Sequence, residues 1–83
     1  MSGSHSLQTT MHPPIDLVTL LVIVAVADCG SISAGSDSVS LALGATSARI
    51  TALETALGMR IFERSSRGVK LTPTGHMLVQ RGR

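Results

Sequence analysis

The charged side chains of this sequence are unevenly distributed, and the basic ones are concentrated in its C-terminal part. Residues 49–83 contain all seven Lys and Arg residues and two of the five acidic residues, a balance of +5, whereas residues 1–48 contain three acidic residues and no basic one. Such a balance on a small domain is typical of a surface that binds a polyanion such as nucleic acid. Many basic surfaces bind nothing, so charge alone leaves both interpretations open.

The residue types that support catalysis or metal binding are scattered along the chain. The acidic residues form no cluster, the histidines lack metal-ligand spacing, and no glycine-rich phosphate loop occurs. We therefore expect a protein that is not an enzyme and holds no cofactor or metal ion. Glu54 is expected to pair with an arginine, and His76 to face solvent. The single cysteine, Cys29, excludes an internal disulfide, fits a cytoplasmic location, and is expected to be buried because it ends an apolar stretch.

Length and composition predict the elements that must position these residues. A chain of 83 residues has room for one domain, and only 1% of its residues are aromatic. The core must therefore be aliphatic, which favours packed helices over a β-sandwich. The lack of aromatic residues also argues against single-strand-binding modules, which stack bases on aromatic side chains.

The first predicted helix is strongly apolar. The run Leu17–Ala27 is too short to span a bilayer, which takes about 20 residues, and no basic residue precedes it as in a signal peptide. A buried helix is the better interpretation, capped by Asp16 and ended by Gly30 after Cys29. Its apolar surface indicates either a central core helix or an extra face that packs on a second subunit. Residues 1–14 are predicted to be a disordered tail or an expression-tag remnant.

Two further helices are predicted. A short one covers Ser33–Val39, with Ser31 and Ser33 as candidate caps and Gly35 permitting close helix approach. The next covers Leu43–Leu57 and ends at Gly58. Its helical spacing places four residues on one buried face: Thr46, Ile50, Leu53 and Leu57. The opposite face carries only small side chains, which would let the helix backbone approach a DNA major groove closely: Gly44, Ser47, Ala48, Thr51 and Thr55.

A basic hairpin is predicted to follow. Met59–Arg64 and Val69–Leu71 alternate like strands, and Ser65–Gly68 forms the turn between them. Thr72 and Pro73 are suited to open a last helix that reaches about Gln80. Three helices, a hairpin and a trailing helix give a mainly α, winged helix-turn-helix fold, with the hairpin as a wing along a phosphate backbone or in a minor groove.

From Asp16 to Val79 the sequence resembles the N-terminal DNA-binding domain of LysR-type transcriptional regulators. The resemblance covers a continuous stretch and is strongest in a Leu-Glu-x-x-Leu-Gly-x-x-Ile-Phe-Glu-Arg motif, followed by Leu-Thr-x-x-Gly. The matching residues are Leu17, Leu20, Val24–Ala27, Gly30–Ile32, Ala45, Ser47, Ile50, Leu53, Glu54, Leu57, Gly58, Ile61–Arg64, Arg67–Val69, Leu71, Thr72 and Gly75.

The resemblance implies a bacterial transcription regulator that binds double-stranded DNA in a sequence-specific way. Residues 15–72 would form the winged helix-turn-helix, and residues 73–83 the start of a linker helix that forms a homodimer. The first predicted helix, which contains Leu17–Ala27, is a candidate second contact. A small-molecule inducer would act only through an effector region, for which these residues are too few. The implied DNA contacts are Ala42, Leu43, Gly44, Ser47 and Ala48 in the groove, Arg64, Arg67 and Lys70 on the wing, and Ser33 and Arg49 at phosphates.

The sequence departs from the family at the start of the predicted helix Leu43–Leu57. Family members commonly have Ser-Gln-Pro where this chain has Ala42, Leu43 and Gly44, and a base-reading Arg is frequent at the position of Ala48. Losing the Ser and Gln removes a helix cap and a bidentate adenine reader. An alternative function therefore stays open: a short helical protein-interaction module that dimerises with a related regulator and has lost strong DNA binding.

Overall fold

The computed structural model describes residues 16–82, which form four helices and one two-stranded antiparallel sheet. This arrangement confirms the predicted mainly helical, winged helix-turn-helix fold. The prediction of a tail over residues 1–14 lies outside the described residues. The elements are α1 (Leu17–Cys29), α2 (Ile32–Ser38), α3 (Leu43–Leu57), β1 (Phe62–Ser65), β2 (Gly68–Leu71) and α4 (Pro73–Gly82).

Helix α1 begins and ends where the sequence predicts. The Asp16 carboxylate accepts the N–H of Thr19 at 2.8 Å, and Gly30 adopts the left-handed conformation (φ 77°) that ends the helix. One face of α1 is buried and contributes Val22, Ile23 and Val26 to the core. Within residues 16–82, no helix is both long and apolar enough to cross a membrane.

Cys29 is exposed, so the prediction of a buried thiol is wrong. It lies in the last turn of α1, beyond Val26, which is the last fully buried residue of the helix. The prediction assumed that burial continues to the end of the apolar stretch. The core covers α1 fully only as far as Val26, so Cys29 is exposed at the end of the helix.

Helix α2 packs closely against α1. The Ser31 hydroxyl accepts the N–H of Ala34 at 3.0 Å, so α2 starts one residue before the predicted Ser33, and of the two candidate caps Ser31 fills the position. A Cβ atom on Gly35 would lie 2.6 Å from Cγ2 of Val26. The glycine therefore permits the close helix approach that its position predicts.

Helix α3 completes the three-helix core. Thr46, Ile50 and Leu53 are buried as predicted, but Leu57 is 38% exposed, so its assignment to the buried face is wrong. Leu57 is the last residue of α3, next to the left-handed Gly58, where the chain turns away from the core. The core is aliphatic apart from one phenylalanine and consists of Val22, Ile23, Val26, Ile50, Leu53, Ile61, Phe62 and Val79.

The wing, residues 62–71, consists of β1, β2 and the two-residue loop between them. Its first strand is Phe62–Ser65, so the predicted strand over Met59–Arg64 is wrong at both ends. The backbone N–H groups of Ile61 and Phe62 donate to the Glu54 carboxylate at 2.8 and 3.3 Å. The backbone before Phe62 is therefore hydrogen-bonded to a side chain of α3 and not to a neighbouring strand.

The base of the wing is attached to α1 and α4. The Val69 N–H donates to the carbonyl of Gly30 at 3.1 Å. Gly68 begins β2 and pairs with Ser65, so the predicted turn over Ser65–Gly68 is wrong at both ends, but Gly68 has the predicted positive φ, 119°. The Thr72 hydroxyl accepts the N–H of Gly75 at 3.1 Å and donates to the carbonyl of Arg60 at 2.6 Å. Thr72 thus caps α4 as predicted and fixes both ends of the wing to each other.

Candidate nucleic-acid interface

The N-terminal half of α3 presents an exposed surface without charge. Leu43 is 53% exposed, and Ala42, Gly44 and Ala48 are exposed beside it, while Ser47 is half-buried. These are the five residues that the family resemblance assigns to the major groove. The structure brings them together because 43 and 47, like 44 and 48, are one helical turn apart.

The first turn of α3 has no side-chain cap. Ala42 occupies the N-cap position in extended conformation (φ −65°, ψ 147°), and its methyl group offers no acceptor to the N–H groups that follow. The Thr46 hydroxyl, which is buried, donates to the Ala42 carbonyl at 3.2 Å. Ser47 therefore carries the one side-chain hydroxyl of residues 42–48 without such an internal bond.

The guanidinium of Arg49, the residue after Ala48, is bonded to α1. Its Nη1 donates to Thr19 Oγ1 at 3.1 Å and lies 3.4 Å from Asp16 Oδ1, so the guanidinium joins α3 to the start of α1. The pKa of the Asp16 carboxyl lies below its ordinary value, mainly because the carboxylate accepts the Thr19 backbone N–H and also because Arg49 is near. To make the predicted phosphate contact, Arg49 would have to break its bonds to Asp16 and Thr19. Ser33, the other phosphate candidate, is exposed in the first turn of α2.

The three basic residues of the wing are all exposed, but they do not share one face. The register places Glu63 opposite Lys70 and Arg64 opposite Val69. Because successive side chains of a strand alternate between faces, Arg64 and Lys70 lie on opposite sides of the hairpin. Arg67 lies in the loop at the tip. Lys70 therefore has an acidic neighbour across the sheet, which Arg67 lacks.

Sequence reasoning did not identify the concave surface between α3 and the wing. Its volume is about 430 Å³, and it places Thr51 and Thr55 of α3 beside Arg64. Helical spacing alone extends the exposed face of α3 from Ser47 to Thr51 and Thr55, so part of this surface could have been found. Its complete lining is Thr51, Glu54, Thr55, Gly58, Met59, Arg60 and Arg64.

None of the ion pairs among the described residues involves a cation of the wing. Arg49 pairs with Asp16, and Arg60 pairs with Glu54, each at 3.4 Å. The second pair confirms the predicted partnership of Glu54 with an arginine. Among residues 16–81, no group of three or more His, Cys, Asp or Glu side chains could hold a metal ion, and His76 is exposed as predicted. The positive charge available to a partner is thus concentrated on the wing.

Comparisons with known proteins agree with this geometry. Residues 17–76 match the family model of the bacterial regulatory helix-turn-helix proteins of the lysR family. An uncharacterized HTH-type transcriptional regulator from the ibpB-leuC intergenic region of Azotobacter vinelandii is 42% identical over 67 residues, which are 81% of this chain and 46% of the relative. The HTH-type transcriptional activator AllS of Klebsiella pneumoniae is 39% identical over 80% of this chain and 25% of its own length. The chain thus spans less than half of either relative.

Solved structures include similar chains in complex with DNA. The CbnR_DBD–DNA complex superposes with a TM-score of 0.76 at 29% identity and covers 82% of this chain and 78% of that one. The BenM_DBD/benA site 1 DNA complex gives 0.75 at 37% identity, with 82% and 79% covered. On the family match, the relatives and these structures together, the chain belongs to the lysR family of bacterial regulatory helix-turn-helix proteins.

Proposed function

We propose that this chain is the DNA-reading domain of a LysR-type transcription regulator and binds double-stranded DNA in a sequence-specific way. The observation that carries the proposal is the pairing of two surfaces: an exposed, uncharged face on α3, and a wing whose three cations have no ion pair among the described residues. The DNA complexes formed by chains similar to this one support it. The chain is proposed to be non-catalytic and to act in the cytoplasm.

In this proposal, the N-terminal half of α3 enters the major groove. That groove is about 12 Å wide and admits a helix, and small side chains let the helix lie deep in it. Base edges would be contacted by Ala42, Leu43, Gly44, Ser47 and Ala48. The wing would lie on the phosphate backbone or in the adjacent minor groove, where cations contribute affinity without base specificity.

The contributions of the wing residues are expected to differ. Arg67 at the tip has no acidic residue opposite it, whereas Lys70 lies across from Glu63. Arg64 lines the concave surface next to Thr51 and Thr55, so it would contact a phosphate that borders the groove occupied by α3. Arg49 would reach a phosphate only by leaving Asp16 and Thr19, so its contribution should be smaller than that of Arg67.

Dimerisation is part of the proposal. Residues 73–83 would begin the linker helix that pairs two copies, and the exposed apolar side chains at the start of α1 offer a second contact. Leu17, Val18 and Leu21 are 70%, 44% and 50% exposed, so water contacts an apolar area that a second subunit would cover. An inducer would act through an effector region outside these residues.

The test is fluorescence anisotropy of the chain with a labelled duplex, titrated at several salt concentrations. An interrupted AT-rich inverted repeat is compared with a scrambled duplex of the same composition. We expect salt-dependent binding that favours the repeat, and a logarithmic salt slope that falls by about 0.9 in R67A, because one phosphate contact is lost. The matched control is R81A, which removes an exposed arginine of α4 and should leave the slope unchanged.

One observation favours the alternative function, a protein-interaction module that dimerises with a related regulator. The exposed apolar residues at the start of α1 would suit a protein partner as well as a second copy. In that case the folded chain would not bind duplex DNA at low salt, and L21E would weaken its association with a full-length relative in sedimentation experiments. Salt-dependent DNA binding by the wild-type chain contradicts this alternative.

A further inference from the structure

Leu43 is the one large apolar side chain in the part of α3 proposed to meet DNA. It is the first residue of the helix, and 53% of its surface is exposed. A leucine that contributes to the core is buried, as Leu53 is at 0% exposure. Since Leu43 contributes little to the packing of the described residues, its side chain is available to a partner.

The residues around Leu43 lack groups that could read base edges by hydrogen bonding. Ala42, Gly44, Ala45 and Ala48 are exposed and have no polar side-chain atoms. The Thr46 hydroxyl is already bonded to a backbone carbonyl, and the guanidinium of Arg49 is bonded to α1. Ser47 alone retains a side-chain hydroxyl for a base edge.

The backbone next to Leu43 can approach a partner closely. A Cβ atom built on Gly44 would have no heavy atom of the chain within 4 Å, apart from its immediate neighbours and the helix's own backbone. The space on this side of the helix is therefore open. A side chain at position 43 would extend into a groove without obstruction from its neighbour.

The major groove presents one apolar feature to such a side chain, the C5-methyl group of thymine. A leucine placed against any other base edge would cover a hydrogen-bonding group without replacing the bond to water, which costs free energy. We infer that Leu43 is a specificity-determining residue that selects thymine by its methyl group. This inference rests on the proposed function, because it requires α3 to lie in the major groove.

The experiment uses the 83-residue chain and a binding site recovered by selection from a random duplex library. Each thymine of the recovered site is replaced in turn by deoxyuridine, which keeps the base pair and removes only the methyl group. Binding is measured by fluorescence anisotropy at one salt concentration. We expect about fourfold weaker binding at one or two positions of each half-site, the factor that corresponds to about 0.8 kcal/mol for one buried methyl-sized group.

Two leucine variants assign the effect to a residue. In L43A, the thymine and deoxyuridine duplexes should bind equally at those positions. In L57A, which truncates an exposed leucine at the other end of the same helix, the fourfold difference should persist. Thermal unfolding of both variants checks that each is folded.

The outcomes separate the inference from the proposed function. If the folded chain binds no duplex, the proposed function fails and the inference fails with it. If the chain binds but the recovered sites share no thymine, or deoxyuridine has no effect at any position, the inference is wrong and DNA binding stands. An undiminished deoxyuridine effect in L43A likewise shows that another residue reads the methyl group.

Discussion

Replacing Glu54 by alanine should destabilise the domain strongly, because one carboxylate oxygen connects α3 to the chain that enters the wing. Glu54 Oε2 accepts the backbone N–H groups of Ile61 and Phe62 at 2.8 and 3.3 Å, and its side chain is only 13% exposed. Ile61 and Phe62 are 0% and 1% exposed, so water could not replace the lost acceptor without local opening.

The magnitude follows from these contacts. A hydrogen bond to a charged group contributes about 1.5–3 kcal/mol, and a buried N–H without a partner costs about 1–3 kcal/mol. Since the two bonds share one acceptor and the second is long, we expect E54A to lower the free energy of unfolding by about 2–4 kcal/mol. E54Q keeps an accepting oxygen and should lose only about 1 kcal/mol.

Urea unfolding followed by circular dichroism measures these differences. The control is R60A, which removes the ion pair of Glu54 with an arginine that is 63% exposed and should change stability by less than about 0.5 kcal/mol. This role of Glu54 is excluded if E54A unfolds at the wild-type midpoint, or if R60A destabilises the domain as much as E54A does. In the first case the backbone N–H groups have another acceptor, and in the second the ion pair dominates.

Three further predictions concern backbone conformation and charge. Ser40 has a φ of 58°, which glycine adopts without strain. S40G should therefore raise the free energy of unfolding, measured in urea titrations, by about 0.5 kcal/mol. A lower free energy of unfolding in S40G would contradict this. A Cβ atom on Gly68 would overlap the Gly30 carbonyl, so G68A should cost about 2 kcal/mol or more, whereas G44A, in open space, should not destabilise the domain. The lowered pKa of Asp16 means that its carboxylate adds stability above its unfolded pKa of about 4, and that this stability is lost as pH falls through the folded pKa. Wild-type protein should therefore lose more stability than D16N when acidified from pH 5, and parallel acid curves would exclude this role.

The helix boundaries could be predicted from the sequence because they depend on local chemistry. Asp16 and Gly30 define α1, and Gly58 ends α3, through bonds to residues within one helical turn. The exposed face of α3 followed from helical spacing in the same way. The start of the first strand was predicted wrongly because it depends on a contact beyond one helical turn: Glu54, eight residues earlier, accepts the backbone N–H of Phe62.

The candidate site was predicted less completely for the same reason. Arg49 has the residue type of a phosphate contact, but its partner Asp16 lies 33 residues earlier, so spacing could not indicate that the guanidinium is occupied. The wing cations were identified by type and position in the hairpin. Their separation onto two faces depends on the register of β1 and β2, in which Arg64 lies opposite Val69.

Amide NMR spectra of the chain show whether α3 and the wing together form the DNA-binding surface. Spectra of ¹⁵N-labelled protein are recorded without and with a duplex that carries an interrupted AT-rich inverted repeat. The shift changes should concentrate in residues 42–51 and 64–70. Changes confined to α1 and α4, or none at a concentration where the duplex is bound, would show that α3 and the wing do not form this surface.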